Sequence, residues 1–486
     1  MLNLADRTDA VPSTESVPGL PTAEIGSALT DGKVDLVPAH TRAQSAPEDW
    51  LIVGLGKTGL AAARFLAARG EAFAVTDTRA EPPQRARLTE IPGAAQAWRG
   101  PLESLTVTNW PRVLVSPGVS PDLPFLCAAR ATGAEVFGDI EWFARWAQAP
   151  ILGITGSNGK TTVTALVGEL LSAAGYNVAV GGNFGIPALD LLNPEVDLYV
   201  LELSSFQLET TSSLRAAGAA ILNISPDHLD RHADMAAYVH AKARILNGAG
   251  RIVLNRADPF LSPWQNADGA VSFGLDAPVR PDDFGVADQD GVPWLLHGQH
   301  ALLPAHALAL RGRHQWLNVL AALALVWPWV ANPADLWPVL RRFAGLPHRY
   351  QFVGCRGGVE YINDSKATNV GAVVAALHSV SGPLYLIAGG QGKGQDFAPL
   401  AAALPERTRG VFLLGQDALL MQQALVGRVP VEIVPTLEAA VQAAAARAVP
   451  GDTVLLSPAA ASLDMFRDYA ERGERFMAAV AGLPAC

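Results

Sequence analysis

The run Thr155-Gly156-Ser157-Asn158-Gly159-Lys160-Thr161-Thr162 lies between an apolar stretch, 151–154, and an amphipathic one, 161–174. Its residue types suit a phosphate. Glycines let backbone N–H groups close around an anion, a helix N-terminus attracts negative charge, Lys160 adds a cation, and the Thr161 hydroxyl suits Mg2+. Ile154 stands where the strict GxxxxGK[ST] form has its first glycine. A strand before and a helix after still place the run as a nucleotide phosphate loop, with Gly156 through Thr162 as candidate contacts.

A second glycine pattern, Gly54-Leu55-Gly56-Lys57-Thr58-Gly59, also follows an apolar run and opens a helix, and Asp77 lies 23 positions beyond Gly54. That spacing is a dinucleotide fingerprint, and it leaves three readings open: an NAD site, tight strand–helix packing, or another phosphorylated ligand. Arg79 and Ser116-Pro117-Gly118 would give such a site a polar rim.

Further along stand Glu202 in Leu-Glu-Leu-Ser-Ser-Phe-Gln, the segment Asp227-His228-Leu229-Asp230-Arg231, and Lys242. A γ-phosphate with Mg2+ needs oxygen ligands beyond a loop threonine, and a glutamate ending a buried strand can supply one. A single histidine after a strand is more often a hydrogen-bonded structural residue than a ligand, and a lysine on a helix is normally a solvated charge. The C-terminal part carries Asn363-Asp364-Ser365-Lys366-Ala367-Thr368-Asn369, then Gly389-Gly390-Gln391-Gly392-Lys393, then 457–464 with Ser462, Leu463 and Asp464. All follow apolar runs, where open α/β sheets place ligands, although turns and helix caps use the same residue types.

Short apolar runs alternating with amphipathic helices are what must position these groups, and the pattern occurs in three blocks, as in parallel sheets covered on both faces. Strands are expected near 51–54, 72–76 and 113–115, then 151–154, 198–201 and 219–223, then 359–362, 384–388, 410–414 and 453–456. Residues 138–150 and 343–348 read as joints, 256–300 as a small β excursion before a helix at 314–328, and 1–46 as a disordered leader or a misassigned start. The division expected is 47–138, 139–345 and 346–486. At 50% hydrophobic and 17% charged, the 486-residue chain can bury a large core. Its net charge of −10 argues against a broad nucleic-acid surface. Cys127, Cys355 and Cys486 are too scattered for a disulfide framework. No apolar stretch reaches the roughly 18 residues of a membrane span. A cytoplasmic monomer is the expectation.

Taken together, TGSNGKTT, GGNFG, LELSSFQLE, DHLDRH, GLPHRY, NDSKATN and SPAAASLD, in this order, resemble the Mur ligase family over about 51–476. The resemblance implies an α/β chain of three domains: a Rossmann-like N-terminal domain, a P-loop ATPase central domain and a Rossmann-like C-terminal domain. It also implies that the first glycine loop holds a UDP-sugar, with no NAD, and that an ATP-dependent ligase joins an amino acid to a nucleotide-linked sugar peptide. The motifs look like the D-glutamate-adding branch, whose substrates are UDP-N-acetylmuramoyl-L-alanine and D-glutamate. No Asp-Asn-Pro-Arg sequence of the diamino-acid-adding relatives occurs. Other ligases of the superfamily, a catalytically dead nucleotide-binding scaffold and a dehydrogenase are the rival readings.

By this resemblance Lys160 would meet the β- and γ-phosphates. Thr161 and Glu202 would hold one Mg2+, and His228 a second, supported by a carbamylated Lys242. Asn183 would touch the sugar substrate near the reacting centre, and Asn318, Arg349 and Asp364 the ATP. Lys57, Thr58, Asp77, Thr78, Arg79 and Gly118 match the uridine and diphosphate positions. Lys366, Thr368, Lys393, Ser462, Leu463 and Tyr469 match the amino-acid pocket. Gln315, Gln391, Ala460 and Tyr469 stand where some relatives have Asn, Asp, Cys and Phe.

Overall fold

The computed structural model describes residues 49–105 and 110–484; the 1–46 leader and Cys486 lie outside them. The first sheet contains β1 (Trp50–Val53), β2 (Phe73–Asp77), β3 (Trp98–Pro101), β4 (Arg112–Val115) and β5 (Glu135–Gly138). All pair in parallel in the order β3-β2-β1-β4-β5. The order reverses between β1 and β4, and there open α/β sheets form a ligand crevice. Helix Lys57–Ala68 follows β1. Its Gly59 packs so closely that a Cβ would lie 1.9 Å from the Gly54 carbonyl oxygen.

The central sheet contains β6 (Ile151–Thr155), β7 (Val178–Gly182), β8 (Leu198–Glu202), β9 (Gly218–Ile221), β10 (Ile252–Asn255), β11 (Ala270–Phe273), β12 (Phe284–Gln289), β13 (Val292–His297) and β14 (His300–Pro304), in the order β14-β13-β12-β11-β10-β9-β6-β8-β7. Strands β6, β8 and β9 are buried along their whole length, covered by helices on both faces, which explains their continuous apolar runs. The stretch 256–300 is no separate excursion. Its strands continue the same sheet, parallel as far as β12 and antiparallel from β12 to β14. Helix Arg313–Val326 packs beneath them with every residue from Asn318 to Val326 buried.

The third sheet contains β15 (Gln351–Arg356), β16 (Val359–Asn363), β17 (Leu384–Gly389), β18 (Thr408–Leu414), β19 (Val431–Ile433) and β20 (Thr453–Leu456), in the order β15-β16-β20-β17-β18-β19. It is parallel apart from the β15–β16 hairpin, whose two turn residues, Gly357 and Gly358, both have positive φ.

The first joint is not slack. Residues Asp139–Trp146 form a helix with Ile140 and Phe143 fully buried. Trp142 stacks on Phe137 at 5.3 Å and meets Trp50 edge-on at 4.6 Å. Desolvation alone would raise the Glu141 carboxyl, but amides of Ser212 and Ser213, at 2.7 and 2.8 Å, hold it down at about 2. One apolar core therefore runs from Trp50 through Phe143 to Leu201 and Ile221. The apolar clusters flanking the third sheet remain separate from it. Among the described residues, no helix is long and apolar enough to cross a membrane.

Truncating Phe143 removes an aromatic ring from this shared core, so Phe143→Ala is expected to cost about 3–5 kcal/mol. The measurement is the shift of the urea unfolding midpoint, and a shift equivalent to less than about 1 kcal/mol would show that the joint carries no common core.

Candidate active site

The phosphate loop leaves β6 at Thr155, whose hydroxyl donates to the Leu203 carbonyl at 2.7 Å and locks β6 to the end of β8. Gly156 and Gly159 have φ of +146° and +85°. At Gly159 a Cβ would lie 2.4 Å from Asn318 Oδ1. The loop is fastened from behind: Ser157 N donates to Asn223 O and Asn158 N to Asn223 Oδ1, both at 2.8 Å. The Ser157 hydroxyl lies 3.0 Å from both Ser225 O and Tyr238 Oη. Ser157 thus spends its polar groups on the scaffold, while helix Lys160–Ala173, starting at Lys160, directs its N-terminus into the site.

Two lysines converge on this loop. Lys160 Nζ donates to the carbonyls of Gly156 (2.8 Å) and Ser157 (2.9 Å), and Lys242 Nζ donates to Gly156 O at 2.8 Å. Lys242 comes from helix Met235–Ala243, capped by Asp234, and its Nζ lies 4.6 Å from the Tyr238 ring centroid. Desolvation lowers both ammonium pKa values. For Lys160, Glu202 and Asp227 oppose the change; for Lys242, Lys160 adds to it and the shift is large. The solvated-charge reading of Lys242 therefore fails, because its side chain is 2% exposed.

Glu202 ends β8 beside Asn183, which follows β7; Asn183 N donates to Glu202 O at 2.8 Å and its Nδ2 to Oε1 at 2.7 Å. The other carboxylate oxygen, Oε2, is buried and has no partner. An acceptor so placed, near Lys160 and the phosphate loop, fits a divalent cation with phosphate. Thr161 Oγ1 accepts from Arg349 Nη2 at 2.6 Å. His228, at φ +55°, is exposed, with Nε2 3.8 Å from Asp227 Oδ2. Desolvation lowers its pKa against the pull of Asp227. Among the described residues, no three His, Cys, Asp or Glu side chains gather as a closed metal cage.

Around the loop, Asn318 Nδ2 donates to Gln315 Oε1 at 2.7 Å, so Gln315 orients Asn318. Asp364 accepts from Tyr350 N (3.0 Å) and Ser457 Oγ (2.9 Å), and desolvation pushes its carboxyl up to about 7. Lys366 Nζ lies 3.9 Å from the Tyr469 ring centroid, and desolvation, then Arg349, lowers its pKa to about 8. Reciprocal backbone bonds of 2.9 Å between Gln391 and Ala461 join the loop of Lys393 to that of Ser462 and Leu463. Ser462 is buried, whereas Lys393 and Leu463 are exposed. Thr368 N donates to Lys366 O at 2.8 Å, keeping both in one turn.

Toward the first sheet, a cavity of about 460 Å3 is lined by Gly56, Lys57, Thr58, Thr78, Arg79 and Gly118, and also by Asn183 and Gln207. The cleft thus leads from the first glycine loop to the Asn183–Glu202 pair. A Cβ on Gly56 would meet nothing within 4 Å, leaving the backbone open to a ligand. Asp77 does not line the cavity. It is 1% exposed, and its carboxylate takes Leu55 N at 2.6 Å and a forked Arg79 at 2.8 and 2.9 Å.

Sequence reasoning passed over several of the positioning groups. Asn369 Nδ2 reaches Asn158 Oδ1 (3.2 Å) and Asp227 Oδ2 (3.1 Å), tying the third sheet to the phosphate loop. Arg472, 2% exposed, fixes the Lys366 turn by donating to Ser365 O at 2.7 Å and to Ala460 O at 3.1 Å. Asn369 stood within NDSKATN, but Arg472 gave no signal beyond an ordinary charge on an amphipathic helix.

Fold and site together define a nucleotide-binding α/β enzyme with an ATP-type phosphate loop in its middle lobe. Three family models match in series: "Mur ligase MurD-like, N-terminal domain" over 48–138, "Mur ligase middle domain" over 154–326, and "Mur ligase, glutamate ligase domain" over 348–460. The chain belongs to the Mur ligase family. Relatives named UDP-N-acetylmuramoylalanine–D-glutamate ligase include one from Hahella chejuensis, 47% identical, with 87% of this chain and 96% of the relative covered. Another, from Methylobacillus flagellatus, is 50% identical, with 89% and 96% covered. Among solved structures, the UDP-N-acetylmuramate-alanine ligase MurC of Thermotoga maritima matches with a TM-score of 0.57 at 19% identity, covering 89% of this chain and 99% of that one. This last likeness is one of fold.

Gly159→Ala would strain the left-handed backbone and push a methyl group into Asn318. The expected outcome is at least about tenfold weaker binding of a non-hydrolysable ATP analogue by calorimetry, a loss of roughly 1.4 kcal/mol. Unchanged affinity would show that the loop does not hold the nucleotide.

Proposed function

We propose that this protein adds D-glutamate to UDP-N-acetylmuramoyl-L-alanine at the expense of ATP, releasing ADP and phosphate, a step of peptidoglycan precursor synthesis in the cytoplasm. The observation that carries the reading is the cleft running from the Lys57–Gly118 rim to Asn183, whose side chain holds the buried Glu202 at the end of β8. It lets the far end of a long nucleotide-linked substrate reach the γ-phosphate. The relatives' shared name supplies the particular substrates. The reading includes the division 47–138 for the sugar nucleotide, 139–345 for ATP and 346–486 for the amino acid, in a monomer.

A free carboxylate is a poor electrophile. In this mechanism the alanyl carboxylate attacks the γ-phosphorus, ADP leaves, and an acyl phosphate forms. The amine of D-glutamate then attacks the acyl carbon, and the tetrahedral intermediate expels phosphate. Lys160 faces the β- and γ-phosphates and stabilises charge that develops during transfer. Asn183 holds Glu202 and faces the substrate. Lys366, beside Tyr469, pairs with a carboxylate of D-glutamate, and Lys393, Thr368, Ser462 and Leu463 complete that pocket; desolvating a dicarboxylate demands such charge-assisted donors. Asn318, Arg349 and Asp364 border the ATP, and Arg79 and Thr78 the uridine diphosphate.

Thr161 and Glu202 would hold one Mg2+, and His228 with Lys242 a second; Mg2+ would neutralise the phosphoryl oxygens as two anions approach. In this scheme Lys242 is carbamylated: the neutral amine adds CO2 at Nζ and loses a proton, yielding a carboxylate-like anion. Burial favours that neutral amine.

The assay is orthophosphate and amide product formed from ATP, Mg2+ and the muramyl-alanine nucleotide, with D-glutamate compared against L-alanine, L-lysine and diaminopimelate. D-Glutamate should be strongly preferred; the absence of amide product would end this reading. Lys242→Ala is expected to be inactive and to regain part of its activity with added short-chain carboxylate, whereas Lys160→Ala should stay inactive. A Lys242→Ala protein that carboxylate leaves unaltered would point to an ordinary ammonium at this position.

A further inference from the structure

Arg231 joins two parts of the site that arise far apart in the chain. Its Nη1 donates to Ser120 Oγ at 3.2 Å, and its Nη2 to Glu209 Oε2 at 2.9 Å and to Val119 O at 3.5 Å. Val119 lines the 460 Å3 cleft next to Gly118. On its other side, Arg231 belongs to the turn that carries His228. The backbone N–H groups of Arg231 and His232 both donate to His228 O at 3.0 Å. Glu209 anchors that turn through Arg231, and its Oε1 lies 3.4 Å from Nδ1 of His232, whose imidazole desolvation holds down at about 4. The Arg231 guanidinium also lies 5.2 Å from the Phe206 ring centroid, and Phe206 meets the His228 ring at 4.9 Å.

We infer that Arg231 is a positioning residue that couples the sugar-nucleotide cleft to the His228 turn, so that filling the cleft sets the geometry offered to the ATP phosphates. The inference rests on the proposed function and adds to it a route between the two nucleotide sites. The physical basis is the forked, planar guanidinium. It makes contacts in three directions at once, so the Val119–Ser120 segment cannot shift without displacing Arg231 and, through its backbone, His228. A lysine would keep a charge for Glu209 but lacks the fork.

Coupling between sites is a ratio of affinities and is measured without turnover. Calorimetry would follow a non-hydrolysable ATP analogue binding to the full-length protein, with and without saturating UDP-N-acetylmuramoyl-L-alanine. In the unaltered protein the sugar nucleotide should tighten analogue binding by about fivefold or more. In Arg231→Lys the ratio should fall to near one while each ligand still binds alone. Ser120→Ala removes the Arg231 hydrogen bond and an exposed local one from Asp122 N, so it should reduce the ratio with little change in the melting temperature, even if the arginine variant folds poorly. A ratio of one in the unaltered protein, or an undiminished ratio in both variants, overturns the inference. A sugar nucleotide that fails to bind the unaltered protein at all overturns the functional reading itself, and the inference with it.

Discussion

A buried and a half-buried ammonium group, those of Lys242 and Lys160, share the carbonyl oxygen of Gly156, and this is the constraint around which the site is built. Like charges this close, out of water, are costly unless anions arrive or one group gives up its proton. The structure prepares for both. Glu202 presents an unpartnered oxygen nearby, the phosphate loop opens its backbone to an anion, and burial drives Lys242 toward the neutral form. In the proposed reaction, phosphate and Mg2+ would complete an electrostatic arrangement that the protein alone leaves unbalanced.

Holding such a site open requires stiff support, and the support differs between its two sides. Toward the cleft of the first glycine loop the attachment is apolar and continuous: Trp50, Phe137, Trp142 and Phe143 belong to the same core as Tyr199 and Ile221. Toward the third sheet it is mainly polar, made by Arg349 on Thr161, by Asn369 on Asn158 and Asp227, and by His314 on Ser379. Hydrogen bonds between half-buried side chains contribute about 1 kcal/mol each, whereas a shared aromatic core contributes several. The polar contacts of the third lobe fall on the phosphate loop, on Asp227 and on the start of helix Arg313–Val326, where His314 N donates to Ser379 Oγ at 3.2 Å.

The glycines divide the labour in a similar way. Gly59 lets a helix press against a strand, Gly159 clears the side chain of Asn318, and Gly56 keeps a stretch of backbone bare beside the cleft. Asp77, which a dinucleotide enzyme would turn toward a ribose, is instead fully engaged by the Leu55 amide and Arg79. Its carboxylate braces the loop and leaves Arg79 at the rim.

The amino-acid sequence by itself determined the three α/β blocks and the phosphate loop, since buried parallel strands must be apolar throughout and an anion cradle must use glycine, lysine and threonine at near-neighbour spacing. It also located Glu202 and Lys366, which sit where apolar runs end. Only the tertiary structure decided that the 138–150 joint is a packed helix, that 256–300 extends the central sheet, that Lys242 is buried rather than solvated, and that Ser157 serves the scaffold. It alone revealed Asn369, Arg472 and Arg231 as the groups that fix neighbouring loops. The physical reason is the range of the interactions. Periodicity and loop chemistry act between residues close in the chain, whereas a lysine's desolvation or an arginine's fork depends on partners brought together from more than a hundred residues away, as Arg231 and Ser120 are.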